Sequence, residues 1–325
     1  MPSTECLVEE GIGEHRAVLL QDGRIVHARI DWLDALVAGQ VEDAVLASRA
    51  AGSSRGTARF ANGEEALVDR LPREASEGAR LRLEVTRAAM PETGRAKLAQ
   101  ARPATAAPGP RPSLADTLRA EGWSPKVVRR FPADWDEVWA EAEQGSTSFA
   151  GGTLHFALTP AMTVIDVDGD LPPRELALAA VAPLASALER FDLAGNIGID
   201  FPTLEANVDR KAIDAALDAQ LDHWPHERTA MNGFGFVQIV ARLRRPSLLH
   251  RLRFDAAGAA ARRLLRQAEQ VDDPGALLLT CNPAVDAALT ADWLAQLARR
   301  SGRAVRIETN PALALTATFA QAVTS

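Results

Sequence analysis

Apolar and polar positions alternate with period two through residues 15–33. Ala17-Val18-Leu19-Leu20 and Ile25-Val26-His27-Ala28-Arg29-Ile30 flank Asp22-Gly23, and Asp-Gly between two alternating runs predicts a β-hairpin. Five more short runs follow from residue 44 to residue 102: AVLASRAA, GTARFA, EALVDRL, ARLRLEVTRA and AKLAQAR. Gly-Ser, Asn-Gly, Glu-Gly and Pro-Glu-Thr-Gly turns separate them, and five short strands at this spacing predict a small OB-like barrel. Residues 102–114 are rich in Pro and Ala and read as a linker. The period then lengthens: residues 113–119 and 133–144 are helical in pattern, with Trp135 and Trp139 at i, i+4 on a face expected to pack into a core.

Beyond residue 151 strands and helices alternate. Strands are predicted at 153–158, 162–167, 196–201 and 234–243, and helices at 175–190 and 207–223. From about residue 255 the pattern reads helix (AAGAAARRLLRQAEQ), strand (ALLLT), helix (DAALTADWLAQLARR), strand (AVRIE), a small α/β unit. The fold class expected is therefore α+β or α/β and multidomain. No apolar run approaches the roughly 20 residues of a membrane span, and Glu5, Glu9 and Glu10 stand where a signal peptide carries basic residues. A cytoplasmic protein with no membrane partner is the expectation. Cys6 and Cys281 are far apart without neighbours at metal-ligand spacing, so they read as two reduced thiols.

The net charge of −7 argues against a phosphate-backbone partner when the chain is taken as a whole, and the 5% aromatic content, with no tyrosine, argues against tight base stacking. The local distribution reverses that. Residues 87–130 hold nine basic side chains against three acidic, residues 228–269 nine Arg against two acidic, and residues 131–227 between them 18 carboxylates against four basic residues. Basic segments on either side of an acidic one suit a nucleic-acid strand lying beside a cation-dependent site. Arg242-Leu243-Arg244-Arg245 is the densest basic run, and a solvated Arg face is the alternative reading. In the barrel, Phe60 is the aromatic available for stacking, with Arg59 and Asn62 beside it. His223 and His226 flank a predicted turn with no third ligand nearby, and no phosphate-binding loop, nucleophile elbow or dinucleotide fingerprint occurs.

The sharpest constellation is Asp166-Val167-Asp168 ending one strand and Asp200 ending another. Alternation sets Asp166 and Asp168 on one face, and a β-α-β crossover brings the two strand ends together, so three carboxylates are expected at one sheet edge. Hard oxygen ligands of this kind suit Mg²⁺ or Mn²⁺ and metal-assisted phosphodiester hydrolysis. The alternative is that Asp168, Asp170 and Asp200 make turns or cap the helices that follow.

Leu158-Thr159-Pro160-Ala161-Met162-Thr163-Val164-Ile165-Asp166-Val167-Asp168, preceded by Gly151-Gly152-Thr153, resembles the catalytic strand of the RNase E/G family of endoribonucleases. Ala194-Gly195-Asn196-Ile197-Gly198-Ile199-Asp200-Phe201 resembles the segment that carries the family's second Asp. Phe234-Gly235-Phe236-Val237 and Pro246-Ser247-Leu248 resemble a third motif in the same order. The resemblance implies an RNase H-like subdomain (1–38 and 105–150) with an inserted OB-type RNA-binding barrel (39–104). It also implies a DNase I-like catalytic α/β subdomain (151–252) and a small C-terminal α/β domain (253–325), the expected contact of a homodimer.

It further implies single-stranded RNA as substrate and Mg²⁺ held by Asp166 and Asp200. Asp168 stands where the family has Asn, and Arg59, Phe60, Arg242, Arg244 and Arg245 are the RNA-binding candidates. The chain departs from the pattern at Pro160, Thr203, Gly233 and Gln238, lacks the Cys-Pro-x-Cys zinc link, and is too short between barrel and catalytic strand for a full 5′-monophosphate pocket. The alternatives that follow are a non-catalytic RNA-binding relative and a protein-interaction module that dimerises through the small domain.

Overall fold

The structure, a computed structural model, describes residues 4–92, 94–131 and 135–324. It opens with an antiparallel meander of β1 (Thr4–Glu10), β2 (Glu14–Gln21) and β3 (Arg24–Trp32). Asp22 and Gly23, at φ 50° and 78°, form the two-residue turn between β2 and β3, because two left-handed residues match the twist of the flanking strands.

Next come β4 (Val41–Arg49), β5 (Gly56–Arg59), β6 (Glu65–Val68), β7 (Arg80–Arg87), β8 (Met90–Glu92), β9 (Arg95–Lys97) and β10 (Ala99–Pro103). Five of these close into a barrel of order β10-β6-β5-β4-β7, with β6 and β10 parallel, an arrangement compatible with an OB-like barrel. Every second residue points inward, and the interior is filled by Ala44, Leu46, Ala58, Phe60, Leu83 and Val85. β8 and β9, a short extra hairpin, were not expected from the pattern.

Residues 104–113 have no regular structure, yet they are more than a linker. The Arg111 guanidinium donates to both Asp31 carboxylate oxygens at 2.7 and 2.8 Å and to the Trp32 and Ala35 carbonyls, fastening the segment to the first sheet. α1 (Leu114–Ala120), capped by Ser113 and Asp116, leads into β11 (Pro125–Val128), another unforeseen strand, which pairs parallel with β1. α2 (Trp135–Gln144) buries Trp135 and Trp139 as expected; residues 133 and 134 of the predicted helix lie outside the described residues.

The six-stranded sheet that follows has the order β12-β13-β14-β15-β17-β16: β12 (Ser146–Phe149), β13 (Gly152–Leu158), β14 (Thr163–Gly169), β15 (Gly195–Asp200), β16 (His226–Arg228) and β17 (Phe236–Ala241). α3 (Pro173–Arg190) joins β14 to β15, packing against β3 on one side and β12, β13 and β14 on the other. Its buried residues include Ala177, Ala180, Ala185 and Ala187 beside Leu176, Leu184 and Leu188, and the alanines let two sheets approach one helix closely. α4 (Asn207–Leu221) rests on α3 through Ile213, Leu217 and Leu221, at i, i+4 and i+8. One face of the sheet is thereby covered and the other is open.

α5 (Leu248–Phe254) and α6 (Ala256–Glu269) lead to β18 (Ala276–Cys281), α7 (Pro283–Ala288), α8 (Ala291–Ser301), β19 (Val305–Thr309) and β20 (Phe319–Val323). The three strands form a sheet of order β19-β18-β20 with its own core. This unit grips the first sheet through Arg262, whose guanidinium lies 4.1 Å from the Trp32 ring and 4.6 Å from the Trp293 ring and pairs with Asp34. Among the described residues no helix is long and apolar enough to cross a membrane.

Candidate metal centre and nucleic-acid interface

In the six-stranded sheet Leu154, Ile165, Val167, Ile197, Ile199, Val237 and Ile239 point into the core. Their alternation fixes the register, since a slip of one residue would bury the polar set instead. The intervening positions line up across four neighbouring strands: His155 opposite Asp166, Asp166 opposite Asp200, Asp200 opposite Phe236. Asp166 and Asp200 are exposed, and among the described residues neither carboxylate has a hydrogen-bond or ion-pair partner. Adjacent strands stand about 5 Å apart, so two bare carboxylates are held side by side on a rigid backbone.

The three expected carboxylates do not gather equally. Asp168 is two residues further along β14 on the same face, and its Oδ1 accepts from the Gly169 N–H at 2.9 Å. Among the described residues there is no group of three or more His, Cys, Asp or Glu side chains placed to hold a metal ion. Asp166 and Asp200 are nonetheless the donor type that Mg²⁺ or Mn²⁺ takes when water and phosphate oxygens fill most of its shell. The residues thus fit such an ion, with Asp168 two positions further along the same strand. His155, beside Asp166 in the register, was not assigned a role from the sequence; only strand pairing brings it to the carboxylates.

Beyond Asp200 the open face turns apolar. Gly198 carries no side chain, and a Cβ there would lie 2.5 Å from the Phe236 ring and 2.9 Å from the Met162 sulfur, so both close over the sheet at this point. At the amino ends of β14 and β15 the β8–β9 hairpin meets the sheet, with Lys97 Nζ donating to the Pro160 carbonyl at 3.1 Å. A cavity of about 270 Å³ lies there, lined by Arg87, Lys97, Met162, Asn196, Leu243 and His250 among others.

The basic candidates separate into two kinds. Arg242 and Arg244 are exposed and have no side-chain partner among the described residues, so both are free to meet phosphate. Arg245 is not: its Nε and Nη2 donate to Asp192 at 2.6 and 3.2 Å, and Nη1 reaches Glu121 at 3.5 Å. Burial would raise the Asp192 carboxyl, but the Arg245 and Arg29 guanidiniums, with His27, hold it well below the usual carboxylate range. His27 beside it is pushed down to about 4, chiefly by burial. Arg245 is thus a structural cation, because a buried Asp192 requires one.

The barrel candidates also change. Phe60 is 3% exposed and fills the barrel interior, so its ring is closed to nucleobases. The pattern carried that signal, since Phe60 shares parity with the inward Ala58 and opposes Arg59. Arg59 is exposed and pairs with Glu65 at 2.8 Å, while Arg82 pairs with Asp43 and Arg102 with Glu84, leaving this barrel surface close to neutral. His223 pairs with Glu189, whose hydrogen bond raises the imidazole pKa, and His226 Nδ1–H donates to the Trp224 carbonyl oxygen at 2.7 Å.

No known family profile matches the chain, and no curated protein is significantly similar to it.

Proposed function

We propose that the chain is an RNase E/G-like endoribonuclease, hydrolysing single-stranded RNA in the cytoplasm with Mg²⁺ held by Asp166 and Asp200. The observation that carries this reading is the pair itself: two unpartnered carboxylates in register on adjacent parallel strands, on the open face of a sheet. Like charges fixed at that spacing call for a cation, and a divalent ion with open positions supplies an activated water and a counter-charge for a phosphoryl oxygen. Asp166 and Asp200 would hold it. Asp168, oriented by the Gly169 N–H, positions water beside them, and His155, opposite Asp166 in the register, is the candidate general acid–base. Arg242 and Arg244 draw in the phosphate backbone by charge. In this reading the first sheet with β11 is the RNase H-like subdomain, the barrel its OB-type insertion, and the six-stranded sheet the DNase I-like catalytic unit.

The test is incubation of a single-stranded oligoribonucleotide with the protein in Mg²⁺, Mn²⁺ or EDTA, beside Asp166→Asn and Asp200→Asn. Metal-dependent cleavage lost in both variants is the expected result. RNA that shifts in a salt-dependent way with no cleavage above the variants would make the chain a non-catalytic RNA-binding relative, consistent with its departures at Pro160, Thr203, Gly233 and Gln238.

A further inference from the structure

The proposed chemistry leaves one prominent feature beside the Asp200 strand end unused. Phe234 is 81% exposed, the most exposed of the large hydrophobic side chains among the described residues. The loop that carries it is built rather than loose. Asn232 Oδ1 accepts from the Phe234 N–H at 2.9 Å and the Phe236 N–H at 3.1 Å. The Phe201 N–H donates to the Gly235 carbonyl at 3.2 Å, and Thr203 Oγ1 donates to the Phe234 carbonyl at 3.4 Å. Gly235 sits at φ +89°, where a Cβ would lie 2.3 Å from the Phe201 carbonyl oxygen, so the loop lies against the backbone that leaves Asp200. Phe236 is the register partner of Asp200, and Phe234 lies two residues before it in the turn that leads into the strand, at most about 7 Å from Phe236 along the chain.

A phenyl ring held in water costs free energy, and this loop gives it no route back into the core. Gly233 before it has open space around its Cα and Gly235 after it has no side chain, so its immediate chain neighbours leave the ring uncrowded. Phe236 and Met162 already lie over the sheet at Gly198; Phe234 stands free in water in the turn before the strand that Phe236 begins, and a ring exposed on its own suits one flat ligand group. With Phe60 buried, the barrel does not fill that need. We propose that Phe234 is a stacking platform for the nucleobase adjoining the phosphate at Asp166 and Asp200, a positioning residue that sets the register of a single strand. This rests on the RNA reading above, and deepens it by placing an unpaired base, not only backbone charge, in the recognition.

The test is binding of a short fluorescein-labelled single-stranded oligoribonucleotide in Ca²⁺, an oxygen-liganded divalent ion suited to the carboxylate pair, with the RNA verified intact on a gel. Wild type, Phe234→Ala, Phe234→Leu and Phe234→Trp are compared, each against the parent oligonucleotide and a set with one abasic position. Phe234→Ala and Phe234→Leu should weaken binding roughly tenfold, and Phe234→Trp should restore it, with indole emission quenched by RNA. One abasic position should cost wild type a similar factor and cost Phe234→Ala nothing more. Wild-type affinity in Phe234→Ala, or equal abasic penalties in both proteins, overturns the proposal. So does a change in self-association without a change in RNA affinity, which would make Phe234 a contact between copies of the chain. Loss of the nuclease reading alone would show as this binding pattern without metal-dependent cleavage; loss of the stacking proposal alone, as cleavage with Phe234→Ala unchanged. Absence of any wild-type RNA binding at low salt overturns both.

Discussion

Arg245→Ala should act on stability, whereas Arg242→Ala and Arg244→Ala should act on RNA affinity, although the three stand in one basic run. The Arg245 and Asp192 side chains are 18% and 15% exposed and share two hydrogen bonds. Removing the guanidinium leaves the Asp192 carboxylate with Arg29 at 3.6 Å and His27 at 3.8 Å. Breaking a buried pair from one side costs about 3–5 kcal/mol, and the surviving Arg29 contact argues for the lower end. With an unfolding entropy of about 2.1 cal/mol/K per residue, about 3 kcal/mol over 325 residues lowers Tm by roughly 4 °C.

Differential scanning fluorimetry at neutral pH reads that shift directly. Asp192→Asn, which tolerates the left-handed backbone at φ 53°, should recover part of the loss when combined with Arg245→Ala, because no buried charge is then stranded. The reasoning is refuted if Arg245→Ala melts within about 1 °C of wild type while losing RNA affinity as Arg242→Ala does.

Asp200→Asn should lower metal-dependent cleavage more than about 100-fold, beyond the usual effect of a group outside the ligand set, as read in a gel assay. Its Tm should hold or rise slightly, since relieving two charges about 5 Å apart in water recovers about 0.8 kcal/mol. Acidification should destabilise the fold between pH 6.5 and 4. His27 and His250 are each pushed down to about 4 by burial, so the unfolded chain takes up their protons first, and stability present above pH 6.5 is lost as pH falls. His27 alone accounts for on the order of 3 kcal/mol of that loss. Chemical denaturation across that window should show the slope, and His27→Gln should flatten it. Gly235→Ala should cost about 1–3 kcal/mol in thermal unfolding and weaken RNA binding with it, because a Cβ there strikes the Phe201 carbonyl. His155→Gln should reduce cleavage and change the pH–rate profile while leaving RNA affinity intact, as a side chain exposed beside Asp166 has no packing role.

The sequence by itself determined the elements whose cause is local. Asp22-Gly23 specified its turn, period-two alternation marked the barrel strands, and the placing of Asp166 and Asp200 on the solvent side of their strands followed from apolar runs that admit one register. The β11, β12 and β16 strands, of three or four residues, were too short to show a period, and pairing with a neighbouring strand makes them strands; β20 also went unread. Phe234 was read as the start of a strand, yet Asn232-Gly233 turns the chain first and regular pairing begins at Phe236.

What only the tertiary structure decided is which of several chemically equivalent residues are free. Arg242, Arg244 and Arg245 are indistinguishable in composition, but Asp192 arrives from 53 residues away to occupy the last of them. Phe60 and Phe234 both stand near Asn and Gly; barrel closure buries one, and a hydrogen-bonded loop holds the other in water. Burial and ion pairing depend on partners remote in sequence, whereas turns and alternation depend on neighbours, and the division between what each level fixed follows from that difference.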